Sequence, residues 1–351
     1  MVLERARDIE LMSAKDVLGG LNFPKGLEHT ALTPNKRTRL VRNEDKYVLQ
    51  FRNGPEFSLD NPEAINSLYD LTGLPKVLSK SPDHLVAPLL QHHIQGLEKV
   101  IAITDGDGLM RLERADRIGP ALPVEQVMTE LAEKFPEVAY HQANVADDGL
   151  TLDLLAITHN DTRKLEELIK PGLHEFLPDG GEPFRAGVHL KFSPMGIVQP
   201  LIEPYLVRVI CANGAIHAEY LNAFDGTGYG EGDEMWQWFR QGLDHVGGAI
   251  DDVMEKYAGL IGEPIPDGEE RMLAVNGMIR AAKLPNHMGE AIRDMAIANP
   301  PHNAFDMFNL LTYTATHQAK GFEQQLKAQT KAGANAEPGV HAQWCPTCHR
   351  N

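Results

Sequence analysis

The spacing of apolar residues along the chain changes character near residue 233. Upstream they come in short blocks cut by glycine, proline and Asn-Gly or Asp-Gly pairs, the pattern of strands and tight turns. Downstream, Trp236, Phe239, Leu243, Val246, Ile250, Val253 and Tyr257 fall at alternating steps of three and four, which places all seven on one stripe of a long helix. The stripe runs for only about three heptads, which favours a core-facing helix over an intermolecular coiled coil. Further helices are predicted over Glu269 to Lys283, His287 to Ala298 and Asn303 to Lys327, separated by Leu284-Pro285 and Asn299-Pro300-Pro301.

Within the upstream part, the first twenty residues read as a short amphipathic helix stopped by Gly19-Gly20 in a left-handed turn. Tyr47 to Phe51 is β-rich and lies between turn signals at Asn43-Glu44-Asp45 and Asn53-Gly54-Pro55. Asp60-Asn61-Pro62-Glu63 opens a helix with a capping side chain, a proline in the first turn and an acid facing the dipole. That helix buries Ile65, Leu68 and Leu71 and ends at Gly73-Leu74-Pro75, with a short helix from Lys76 to Ser79 after it. Hairpins are predicted for Val100 to Thr104 with Leu109 to Leu112, and for Val138 to Tyr140 with Leu150 to Ile157, with a helix from Val124 to Phe135 between them. The strongest strand signals are Ala186 to Phe192, Val198 to Ile202 and Tyr205 to Cys211, which predict a central antiparallel sheet.

These elements predict an α+β fold: an antiparallel β-sheet core, a helical C-terminal part and a short Cys-x2-Cys tail. The expected organisation is an N-terminal helix and basic arm over 1–39, an α+β core over 40–232, a helical region over 233–330 that packs on it, and a linker and tail over 331–351. The linker is the small-residue run Lys331 to Gly339. Composition agrees with a globular chain, at 42% hydrophobic and 23% charged residues, large enough to bury a core without staples. No run approaches the roughly 18 apolar residues of a membrane span, and the opening residues are too charged for a signal peptide, so no membrane partner and a cytoplasmic location are expected.

Charge narrows the function classes. With 33 Lys+Arg against 49 Asp+Glu, a broad phosphate-neutralising surface is disfavoured and any nucleic-acid site must be a local groove with stacking aromatics. The candidate is Lys36, Arg37, Arg39 and Arg42, four cations in seven residues leading into a strand. The competing reading is a solvated edge strand whose charges protect it from aggregation.

Three cysteines and no export signal argue for reduced thiols or a metal rather than disulfides. Cys345 and Cys348 have the spacing of a zinc knuckle, with His341 and His349 as further candidate ligands. Neighbouring Cys348 and His349 seldom reach one ion together, so completion calls on Cys211, another histidine or a second subunit. A tail without metal is the alternative. Cys-x-x-Cys-His also matches a haem attachment site, which the absence of an export signal disfavours. Asp225 to Glu234 alternates glycine with acids, a weak signal for phosphate or calcium beside the simpler reading of a loop before a capped helix. His92-His93, His159-Asn160-Asp161 and His189 show no metal-binding spacing, although the last two groups lie near strands where they could line a cleft.

Four segments together resemble the phage/plasmid-like protein family of unknown function, encoded by tailed phages and mobile elements. They are Asp60 to Ile65 through Leu78, Val100 to Asp105, Tyr205-Leu206-Val207-Arg208-Val209-Ile210-Cys211-Ala212-Asn213-Gly214, and His302-Asn303-Ala304-Phe305-Asp306-Met307-Phe308-Asn309-Leu310-Leu311-Thr312. The resemblance spans about residues 40 to 320, with Ile101 near the place of a usual arginine and Phe305 where tryptophan is common. It implies a phage or plasmid origin and a fold, and it carries over no catalytic residues. The expected role is a non-enzymatic accessory protein in DNA metabolism, such as single-stranded DNA binding or annealing. A virion-associated or protein-interaction role with a phage or host partner, including a homo-oligomer, is the alternative, and an enzyme with a dispersed active site is the third reading.

Overall fold

The computed structural model describes residues 11–24, 26–43, 46–52, 54–106, 108–159, 184–208, 213–216, 233–265 and 267–334. They build an α+β fold of antiparallel sheets and helices, with the C-terminal part helical. Its strands are β1 Glu28–Leu32, β2 Arg39–Asn43, β3 Lys46–Gln50, β4 Glu56–Leu59, β5 Val100–Thr104, β6 Leu109–Arg114, β7 Ala139–Val145, β8 Leu152–His159, β9 Phe184–Phe192, β10 Leu201–Arg208 and β11 Asn213–Ile216. Its α-helices are α1 Ala14–Gly20, α2 Pro62–Thr72, α3 Asp83–Gln95, α4 Val124–Lys134, α5 Asp233–Ile261, α6 Glu269–Ala282, α7 Asn286–Ala298, α8 Ala304–His317 and α9 Phe322–Gly333.

The strands form three sheets, in the orders β2-β3-β4, β1-β5-β6 and β11-β10-β9-β8-β7. The first two share a core with α2 and α3, made of Leu40, Leu49, Phe57, Leu68, Leu90, Ile94, Ala102 and Leu112 among others. At one edge of each sheet, side chains of the packed helices partner backbone groups. Gln91 of α3 accepts from the Leu40 N–H at 3.1 Å, and Gln95 one turn later donates to the Thr38 carbonyl at 2.8 Å. On β6 the Leu112 N–H donates to Ser67 Oγ at 2.9 Å, and Asn61 Nδ2 donates to the Leu109 carbonyl at 2.8 Å.

The five-stranded sheet carries the larger core. One face, with Leu152, Leu154, Ala156, Val188, Leu190, Ile202 and Leu206, lies under α5 and α4. All seven residues of the predicted α5 stripe are buried, Val246 to 0% exposure, so the stripe is spent inside the chain. Each such side chain contributes on the order of 1.5–3 kcal/mol by leaving water. Helices α6, α7 and α8 extend the same core, and the Tyr257 and Phe308 rings meet at 4.7 Å. Arg240 of α5 forks onto both Glu130 oxygens of α4 at 2.7 and 2.6 Å, which locks the two helices over the sheet.

The structure differs from expectation at five places. The helix before Gly19 begins, among the described residues, at Ala14 behind a Ser13–Asp16 capping box, and its C-cap is Leu21 in extended conformation rather than a left-handed glycine. Val198 to Ile202 and Tyr205 to Cys211 are not two strands; β10 runs straight through Pro204. Pro204 is paired in register with Val188 of β9, and among the described residues the pairing of β10 to β11 starts at Tyr205. The expected helix from Asn303 to Lys327 breaks into α8 and α9, because Gly321 takes φ 104°, a value open to glycine but not to a helix. Helix α3 was not expected, and neither was β1, which pairs with β5 from inside the segment read as an arm. The described residues of the 40–232 stretch feed two large cores and two smaller clusters. Among the described residues no helix is long and apolar enough to cross a membrane.

Candidate functional site

Two regions hold charge in arrangements that packing alone does not demand. The first is the basic end of the small β2-β3-β4 sheet. Lys36 and Arg37 lie in the turn before β2 and Arg39 opens the strand; all three are exposed and make no ion pair with another described residue. Arg39 is paired in register with Gln50, and Arg52, exposed in the turn two residues beyond, adds a fourth cation at that end. Arg42 is not part of this group. It lies on the opposite face of β2, where it pairs with Asp83 at the start of α3, the same carboxylate that takes the Tyr47 hydroxyl. The segment is thus an edge strand, as its competing reading held, and still presents three unpaired cations outward. The outward residues of this sheet, Arg39, Val41, Val48, Gln50, Glu56 and Ser58, include no aromatic ring.

The second region is the other face of the five-stranded sheet. Here His189, in the central strand β9, is buried between two buried carboxylates. Its Nδ1 lies 2.9 Å from Glu203 Oε2 on β10, and its Nε2 lies 3.0 Å from Asp153 Oδ1 on β8. Lys191 approaches the free Asp153 oxygen at 3.9 Å from the wetter end. Burial works against the charged ring, but hydrogen bonds and charge from Asp153 and Glu203 outweigh it and raise the His189 pKa above its ordinary value. The grouping follows from register: Glu203 sits directly opposite His189, and Asp153 opposite Lys191 one step along.

On the same face, Tyr205 is paired with Gly187, and without a side chain beneath it the ring lies across β9 and β8 to reach β7. There its hydroxyl meets His141 Nδ1 at 2.9 Å. His141 is the extra residue of a β-bulge, since Tyr140 pairs with Ala156 and Gln142 with Leu155; the bulge turns its ring onto this face. Burial pushes the His141 pKa down to about 4 and raises that of the Tyr205 hydroxyl, so both are neutral at pH 7. Leu155, Ile157, Tyr205 and Val207 then pack against Leu326 of α9.

Of the residues singled out in the sequence, His189 is the one that proves to be organised. Its partners Asp153 and Glu203 escaped notice, although a single acid inside Leu152-Asp153-Leu154 and Ile202-Glu203-Pro204 is the signal that would have found them. His92 and His93 are exposed on α3 with rings at 5.9 Å, not splayed as in an extended segment. His341, Cys345, Cys348 and His349, together with Cys211, Asn160, Asp161 and the loop before Asp233, lie outside the described residues. Among the described residues no three His, Cys, Asp or Glu side chains converge as a metal site. No family model, no curated protein and no solved structure matches this chain.

Proposed function

We propose that this protein is a non-enzymatic accessory factor that binds single-stranded nucleic acid, DNA foremost, through Lys36, Arg37, Arg39 and Arg52. The observation that carries the reading is the outward group of cations without carboxylate partners among the described residues, in a chain whose net charge is −16. Such a site binds by releasing counterions, and the surrounding acidity confines it to a few phosphates. With roughly three or four phosphates neutralised, log K for a single strand falls with log salt with a slope of about −2 to −3. The resemblance of Tyr205 to Gly214 and of His302 to Thr312 to phage- and plasmid-encoded proteins supports a cytoplasmic role in phage DNA metabolism. A zinc knuckle at Cys345 and Cys348 belongs to the same reading; equal zinc content in full-length protein and in protein ending at Glu337 would clear the tail.

Anisotropy of a labelled oligothymidine across a salt series tests the proposal. The Arg37→Glu/Arg39→Glu double variant is expected to bind at least about tenfold more weakly, with a shallower salt slope. Arg42→Gln, on the other face, is expected to bind as the wild type does. Absence of binding at low salt, or equal loss from both variants, removes the reading.

A further inference from the structure

We infer that Asp153, His189 and Glu203 form a protonation latch, which ties β8, β9 and β10 together while the ring carries two protons and slackens when it loses one. Both ring nitrogens face carboxylate oxygens at hydrogen-bond distance, and where both carboxylates are ionised, and so only accept, both nitrogens donate. A neutral imidazole has one N–H, and its lone pair would confront the second carboxylate where water is excluded. One ring on the middle strand therefore bridges two ionised neighbours only as an imidazolium.

The charged groups that face it are Glu203 from β10, Asp153 from β8 and, along β9 itself, Lys191; Arg185 shares that face beyond Gly187, opposite Val207. With the ring charged, Asp153, His189 and Glu203 together carry one negative charge; with the ring neutral they carry two. The neighbours on this face, Leu155, Ile157, Tyr205 and Val207, are the ones that hold Leu326, so slackening the strands loosens the seat of α9. The folded pKa lies above the unfolded one, so the latch is fully stabilising below about pH 6.5 and fades as pH rises through the folded value. The inference stands apart from the nucleic-acid reading.

Long-range nitrogen–proton NMR of the full chain reads the ring directly. Both His189 nitrogens are expected to carry protons at neutral pH and to titrate above the free-histidine range. Melting temperature is then expected to fall across that same titration in the wild type. The Asp153→Asn/His189→Gln/Glu203→Gln triple variant, which cannot titrate there, is expected to lack that step. A His189 that titrates at or below the free-histidine range overturns the latch, and so does a parallel loss of melting temperature in both proteins. Should the triple variant fail to fold, the wild-type His189 titration alone decides.

Discussion

The two faces of the five-stranded sheet are made from the same strands and obey different rules. Toward α5, Leu152, Leu154, Val188, Leu190, Ile202 and Leu206 form a continuous apolar surface whose stability is additive and insensitive to pH. Toward α9, the alternate residues of those strands set Asp153, His189, Lys191, Glu203 and Tyr205 among Leu155, Ile157 and Val207, and each polar group depends on particular neighbours. A loss on the first face is measured by the volume removed. A loss on the second is measured by what is left unpaired.

The largest effect is expected where the polar face has no room at all. At Gly187 an added Cβ would lie 1.8 Å from the Ala156 carbonyl oxygen and 2.8 Å from Ile157 Cα, which are backbone and cannot swing aside. Gly187→Ala is expected to cost more than about 4 kcal/mol in chemical denaturation, or to prevent folding. A cost under about 1 kcal/mol would show that the β8–β9 register is different. His189→Leu comes next, at about 3–5 kcal/mol, because it takes the imidazole away from two buried carboxylates at once. Replacing Asp153, His189 and Glu203 together by leucine is expected to be far milder than that single change. If the triple replacement is the worse of the two, the cost lies in volume and the two faces follow the same rule after all.

Those two faces were unequally legible in the sequence. The seven-residue α5 stripe and the strand blocks at 186–192 and 205–211 made the apolar face legible, because a period of 3.6 over about six turns and short apolar blocks bounded by turn signals are the patterns of a buried helix face and of strands. The polar face depends on cross-strand register, which places Glu203 opposite His189 across 14 positions and Asp153 beside it across 36. Nothing local encodes that. Helix α3 was missed for a related reason: its buried residues Val86, Leu90 and Ile94 are few, and Pro88, His92 and His93 lie among them, so its periodic signal is thin. The basic segment was visible as composition, yet only the structure separates Arg42, turned to Asp83, from Arg39, turned to solvent.

Below these effects lies a smaller one that separates the two histidines of the polar face. His141 has a folded pKa of about 4, below the unfolded value, so its neutral burial stabilises above about pH 6.5 and that contribution fades as pH falls toward 4. The sign is opposite to that of His189. At most about 3 kcal/mol is at stake. His141→Gln, which keeps a partner for the Tyr205 hydroxyl and does not titrate, is expected to flatten the acid side of a melting profile and leave the alkaline side alone. A variant that flattens both sides would mean the two histidines are coupled through Tyr205.

The smallest effect is expected from trimming the apolar face. Ile250→Val on α5 removes one methyl group from a site with 4% exposure, where neighbouring side chains can partly close the gap. The cost is expected at about 0.5–1.5 kcal/mol, the same at every pH between the two histidine titrations. A pH-dependent cost would mean that α5 senses the charge state on the far side of the sheet. The strands would then transmit the state of the latch through their full thickness, and the division between an additive face and a paired one would fail at the backbone they share.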